Sequence, residues 1–251
     1  MSRRFVSGTA VLLALTLLVA PLHAAAPQPG KINVLVVTGG HPFDANGFET
    51  MWNSFYSLQW TSATQATSSE AFTEANLAKV DVVATYDMIG KTTEEQKQAF
   101  LAFLRRGGGL VALHHTMAAR PDWPAWSHIM GGRFFLAKEE FNGQSFPQSG
   151  YQHDVDMDVT VVDPRHPVTR GLSNFRIHDE AYNKFWVAPN VKVLLTTDHP
   201  MSDKAIAWSR AEGKARIVFI QLGHDNQAFA NPNYRKLVEQ AVLWTAHREA
   251  K

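Results

Sequence analysis

The stretch Gly107-Gly108-Gly109-Leu110-Val111-Ala112-Leu113-His114-His115-Thr116 constrains this chain more than any other. Three consecutive glycines end the preceding helix and open a tight turn. The short apolar run after them reads as a strand buried on both faces. In open α/β sheets, ligands bind in the crevice outside the carboxyl ends of the strands. The strand is therefore scaffold, and His114 and His115 stand where chemistry would be done.

The flanking segments repeat the pattern. Residues 32–38 are apolar and β-branched and end in Gly39-Gly40, a strand followed by a turn. From Asn46, placed to cap a helix, Phe48, Met51, Trp52 and Phe55 follow helical spacing. The double glycine resembles a phosphate cradle. However, Pro42 follows it where a P-loop has glycine and lysine, so no nucleotide cofactor is expected. Residues 60–67 alternate weakly, as an edge strand would, and 68–79 read as a loop with a short helix. Residues 80–86 form the next strand, ending at Asp87. Thr92 or Thr93 caps a helix that runs to Arg106, with Glu94 and Glu95 in its first turn and Arg105 and Arg106 in its last, matching the helix dipole. The order β-α-β-α-β-α-β predicts a doubly wound, mostly parallel sheet with helices on both faces, flavodoxin-like in plan.

Beyond Thr116 the pattern loosens. Residues 120–126, with Trp123 and Trp126, form a loop into a short helix closed by Gly131-Gly132. Residues 138–150 read as a polar surface loop. Residues 153–162 alternate, with Val155, Met157, Val159 and Val161 on one face and Asp154, Asp156 and Asp158 on the other, as in a half-exposed antiparallel strand. Period two splays these aspartates along a face, so a solvated face fits better than a calcium site. Residues 175–182 run into the acidic-aromatic corner Asp179-Glu180-Ala181-Tyr182. Residues 191–197 form a strong strand, and 205–208 with 217–222 a hairpin. A loop to Asn231 leads to a last helix at 232–246. These are antiparallel additions to the parallel sheet.

Composition narrows the function. Residues 1–26 have Arg3 and Arg4, a short apolar run and a small-residue zone, which reads as a cleaved secretory signal. The run is too short to span a bilayer, and Ser2-Arg3-Arg4-Phe5 matches a twin-arginine start poorly. The expectation is a periplasmic or secreted protein with one domain at 27–251 and no stable membrane insertion. The chain has 24 Lys and Arg against 23 Asp and Glu; without Arg3 and Arg4 the balance is −1. Near-neutral charge leaves no footprint for nucleic acid. There is no cysteine, which excludes disulfides, thiolate ligands and a thiol nucleophile, while histidine is abundant at 11.

Three histidine-bearing loops fall at expected strand ends: His41, His114-His115 and Gly223-His224. Asp179-Glu180 forms a fourth polar cluster. Strand ends of a parallel sheet lie on one edge, so these distant segments can converge. Imidazoles with a carboxylate suit a metal, and a histidine with an orienting acid suits proton transfer. Each residue also has a plainer reading. His114 and His224 are compatible with buried structural histidines, His41 with a helix cap, Asp179 with a hydrogen-bond acceptor, Tyr182 with a wall residue, and Trp123 and Trp126 with core. His166 reads as structural, His128 as packing, and His153, His178 and His199 as surface or turn residues. No nucleophile-elbow motif supports serine catalysis.

At these residues the chain resembles the ThuA-like (trehalose utilisation) family, which has a class I glutamine amidotransferase-like fold. The matching features are Gly107 to His115, Trp126 with Gly131-Gly132-Arg133-Phe134, His166-Pro167-Val168-Thr169-Arg170-Gly171-Leu172, Asp179-Glu180-Ala181-Tyr182 and Gly223-His224. In the amidotransferases a cysteine follows the equivalent strand; here His114-His115 stand there, which excludes thiol-dependent amide transfer. The resemblance implies a role in sugar or glycoside metabolism, often alongside oxidoreductases that make 3-keto sugars, and a divalent metal such as zinc on histidines.

The expected site is a cleft with His114, His224, Glu180 and Asp225 as catalytic residues, Asp225 orienting a histidine. His41, His114, His224 and Glu180 are the candidate metal ligands. His41, His115, Tyr182, Trp123 and Trp126 are the candidate sugar contacts. Cleavage of a C–O bond, hydration or isomerisation next to a carbonyl would suit them. The rival is a non-catalytic periplasmic carbohydrate-binding or accessory protein. A homo-oligomer is compatible with either.

Overall fold

Five parallel strands carry the architecture. They are β1 (Ile32–Gly39), β2 (Leu58–Thr64), β3 (Val82–Asp87), β4 (Gly109–Leu113) and, late in the chain, β13 (Ala215–Ile220), in the spatial order β2-β1-β3-β4-β13. The computed structural model describes residues 30–249, so the expected secretory segment lies outside the described residues. From Lys31 onward the chain forms one compact unit. All residues of β3 and β4 are buried, which is why β4 and the start of β3 are apolar runs without alternation.

Helices cover both faces. On one side α1 (Ala45–Asn53), α5 (Asn226–Ala230) and α6 (Pro232–Thr245) place Phe48, Met51, Trp52, Phe229, Leu237 and Val238 against the sheet. On the other, α2 (Glu74–Leu77), α3 (Glu94–Arg105) and α4 (Pro124–Met130) contribute Leu77, Phe100, Phe103, Trp126 and Met130. Thr93 caps α3 in a full capping box with Gln96, which satisfies two orphan donors reciprocally. The predicted doubly wound α/β class is thus the observed one.

The antiparallel additions extend the sheet beyond β13 in the order β12 (Ala205–Glu212), β11 (Lys192–Thr197), β8 (Gly150–Val161) and β9 (Phe175–Asn183). β9 is outermost in this order, yet the extension coils back. Asp179 of β9 accepts backbone N–H groups from Gly223 and His224, just past β13, at 2.8 and 2.9 Å. The carboxylates of the corner are thereby carried to the carboxyl edge of the parallel strands.

Three local expectations are corrected. Asp44, not Asn46, caps α1, because its side chain accepts from the Gly47 N–H. Residues 138–150 are not a plain loop: β6 (Glu139–Phe141) and β7 (Gln144–Phe146) pair as a hairpin across Asn142-Gly143, both at positive φ, the pair that a type I′ turn favours. The loop before Asn231 contains α5, capped by Asp225. The remaining strands, β5 (Gly132–Arg133) and β10 (Trp186–Val187), form a small ladder of their own.

Candidate metal and ligand cleft

His114 begins a 3-10 turn, His114–Ala118, at the end of β4, and its φ is +50°. A left-handed non-glycine residue costs about 1–3 kcal/mol and concentrates at functional sites. Its Nδ1 lies 2.6 Å from the Gln221 carbonyl, so the proton is assigned to Nδ1, which donates there. This fixes the tautomer and leaves the Nε2 lone pair facing the cleft. The Nε2 atom is 3.0 Å from Glu180 Oε2 and 3.1 Å from His224 Nδ1, and His224 Nδ1 is itself 3.1 Å from the same Oε2. The Tyr182 hydroxyl is also 2.9 Å from His114 Nε2. One lone pair cannot satisfy three neighbours, so the ligand atoms are gathered beyond what their own hydrogen bonds require.

His224 is positioned from behind. Gly223 has φ +110°, and a Cβ there would collide with the Tyr234 hydroxyl, so only glycine permits this approach. The Tyr86 hydroxyl donates to the Gly223 carbonyl at 2.8 Å. Asp179 and Glu180 are neighbours on a strand and therefore point to opposite faces. Asp179 accepts the Gly223 and His224 N–H groups, while Glu180 meets the imidazoles.

The electrostatics follow from these contacts. Burial pushes the Glu180 carboxyl up, but hydrogen bonds and charge from His114 and His224, when those rings carry the extra proton, outweigh it and hold it well below the usual carboxylate range. The hydrogen bond to Glu180 pushes the His224 imidazole up, against its burial. Burial raises Asp179 and carries the Tyr182 hydroxyl well above its ordinary value. His115 is buried, and burial with the nearby His114 and His41 pushes it far down. Neither of its ring nitrogens has a hydrogen-bond partner.

Above this cluster lies a cavity of about 250 Å³ lined by His41, Met88, His115, Ala118, Phe134, Leu136, Tyr151, His153, Glu180 and Tyr182. Among the described residues, His114, Glu180 and His224 are the group whose ligand atoms could hold a metal. Two imidazoles and a carboxylate suit zinc, iron(II) or manganese(II). Ligand atoms around a tetrahedral ion with bonds of about 2.0–2.1 Å lie roughly 3.3 Å apart, so a small opening of the cluster would admit one.

The structure brings together His114, His115, His224, Glu180, Tyr182 and, at the rim, His41. It does not make His41 part of the converging ligand group: its Nδ1 is 2.7 Å from the Pro42 carbonyl and its ring stacks on His115 at 4.5 Å. Asp225 does not orient a histidine; its carboxylate is taken by the Gln227 and Ala228 N–H groups as the cap of α5. Asp179 does the positioning instead. Trp123 and Trp126 pack with Phe100 in the core and do not line the cavity. The aromatic walls are Phe134, Tyr182 and the exposed Tyr151.

His153, read as an ordinary surface histidine, is a cavity residue whose Nδ1 lies 3.2 Å from Glu180 Oε1. The register of β8 against β9 shifts between Gln152 and Val155, and Asp154 has φ +55°. This bulge re-aims His153. The alternation of residues 153–162 hid it, because an unbroken strand would have sent the side chain elsewhere. The Gly39-Gly40 pair also finds its reason here: a Cβ at Gly39 would collide with the Gln65 backbone. His166 is structural as expected, bonded to the Val168 N–H and Ser209.

A family model described as ThuA, trehalose utilisation, matches residues 33–245. A ThuA-like protein from Parabacteroides merdae superposes with a TM-score of 0.75 at 18% identity, covering 88% of this chain and 92% of that one. Another from Bacteroides uniformis gives 0.67 at 19% identity, covering 91% and 97%. A β-galactosidase from Rahnella sp. R3 shares the fold over 31% of its own length and 83% of this chain, with a TM-score of 0.51 at 14% identity. No curated protein matches. These neighbours are alike in fold. The family match spans nearly all the described residues, and this chain belongs to the ThuA, trehalose utilisation, family.

Proposed function

We propose that this chain is a carbohydrate-active enzyme that uses a divalent cation, zinc by preference, to act on a sugar or glycoside. The observation that carries this reading is the convergence of His114, Glu180 and His224, with three ligand atoms 3.0–3.1 Å apart and Glu180 lining the cavity. The family match supports the carbohydrate role. The metal, when bound, would polarise a carbonyl or lower the pKa of a water.

The protein's own groups do the rest. His114, locked by Gln221, turns its Nε2 toward Glu180, His224 and the Tyr182 hydroxyl. Glu180 stays ionised, and His153 orients it through Oε1. The Tyr182 hydroxyl keeps its proton and offers it as a hydrogen bond beside His114 Nε2. His115 lines the cavity with His41 stacked on it, and Tyr151 offers an exposed ring at the rim. Cleavage of a C–O bond, hydration or isomerisation next to a carbonyl is the chemistry that this set suits. An exported location and partnership with sugar oxidoreductases belong to the same reading.

The test is metal analysis of untagged protein together with turnover of glycosides and 3-keto glycosides. Wild type is expected to hold one ion and turn over a substrate, with both lost in His114→Ala and His224→Ala. Stoichiometric metal absent, with turnover unchanged in both variants, would overturn the reading. Tight sugar binding without turnover would instead assign a non-catalytic accessory role.

A further inference from the structure

A second cavity of about 190 Å³ adjoins the first and shares three of its walls, Ala118, Phe134 and Leu136. Its remaining lining is mostly small and apolar, including Met117, Ala119 and Ala137. The polar groups there are Arg133 and Glu139, paired at 2.6 Å. Arg133 is 4% exposed, and its Nη1 donates to Ser127 at 3.3 Å. Its Nε, also buried, has no partner. The guanidinium is held in place over the rings of Phe135 and Phe141.

We propose that this second cavity is a subsite for the far unit of a two-part glycoside, an aglycone ring or a second sugar, while the first cavity holds the sugar that meets Glu180 and Tyr182. The inference rests on the carbohydrate reading above and names its substrate as a glycoside instead of a free monosaccharide. Two features select the occupant. The Arg133–Glu139 pair is already balanced in charge, so the subsite takes a neutral group and no phosphate or carboxylate. The apolar walls suit a ring face. Leu136, 48% exposed between the two cavities, forms the saddle over which such a ligand would lie.

The experiment compares calorimetric Kd values of glucose and galactose with those of their phenyl glycosides and of trehalose and lactose, in the presence of zinc. Wild type should bind at least one two-part ligand tenfold or more tightly than the matching monosaccharide. Ala137→Trp, at an exposed position that borders only the second cavity, should abolish that increment and leave the monosaccharide Kd unchanged. Ala137→Ser should keep the increment. Equal binding of one-part and two-part ligands, or an increment that survives Ala137→Trp, overturns the subsite while leaving the enzyme reading intact. Binding of no sugar by wild type overturns the enzyme reading and the subsite together.

Discussion

Two buried polar clusters lie beside each other at the carboxyl edge of the sheet, and they are built on opposite terms. In the first, Asp87 and Arg120 are both fully buried. Asp87 accepts from Arg120 Nη1 and Nη2 at 3.2 and 2.7 Å, from Thr116 at 3.0 Å and from Gln65 at 2.6 Å. Arg120 Nε donates to Ser69, and its guanidinium lies over the rings of Phe72 and Trp126. All its charged atoms are engaged. In the second, His114, Glu180 and His224 crowd three ligand atoms together, and His115 beside them packs on His41 and Tyr86 with no hydrogen bond at either ring nitrogen. The saturated cluster holds the chain in place. The unsaturated one retains capacity for a ligand. One 3-10 turn joins them, because Thr116 bonds Asp87 while His114 and His115 face the cleft.

The comparison can be broken most forcefully at the saturated end. Asp87→Ala leaves Arg120 buried and unpaired, which costs about 3–5 kcal/mol. Urea unfolding should show that loss, and a loss under 1 kcal/mol would mean the pair is not what fixes the turn. Glu180→Gln removes a charged ligand, so its effect belongs in metal affinity, with a loss of at least about 100-fold, beyond the range for outer partners. Asp179→Asn acts one step removed, through the Gly223 and His224 amides, and should weaken metal binding by about 10–100-fold. Equal metal affinity in wild type and Asp179→Asn would deny that Asp179 positions His224.

A smaller effect sharpens the contrast by pH. His166 lies away from the cleft, and burial with the Lys192 charge lowers its pKa to about 4. Its Nδ1 accepts from the Val168 N–H, so the neutral ring is the one the fold prefers. The unfolded chain takes up this proton near the ordinary histidine value, about 6.5. His166 therefore contributes stability fully above about pH 6.5, and that contribution is lost as pH falls towards about 4. The melting temperature of wild type should drop across this window more steeply than that of His166→Gln, and parallel curves would refute the assignment. The smallest effect is at the rim, where Tyr151→Ala should weaken sugar binding only several-fold, on the order of one aromatic contact.

Much of this was legible because burial on both faces leaves a direct mark on sequence. β1, β3 and β4 are apolar runs ended by glycine or by chemistry, and their order dictates which loops share an edge. His114 and His224 were legible for that reason. Glu180 was legible as a polar corner, though its route to the edge, by the coiling back of β9, was not. His153 was hidden because a one-residue bulge reverses what alternation implies. Asp225 did not take the expected orienting role, because an aspartate at a helix start is consumed by the cap, whereas Asp179 is the hydrogen-bond acceptor it was read as and reaches across from its strand to another loop. Trp123 and Trp126 follow His114-His115 closely in sequence, but α4 turns them into the core beneath Arg120. Nearness in sequence did not become nearness in space.

The central claim is that the crowded His114–Glu180–His224 cluster is a cation site. Its most direct test is calorimetric titration of chelator-stripped protein with zinc, iron(II) and manganese(II), in wild type and Glu180→Gln. At least one of these ions should bind wild type saturably at one per chain, and that binding should be lost in Glu180→Gln. Absence of saturable binding in wild type, or an unchanged isotherm in the variant, would contradict the account.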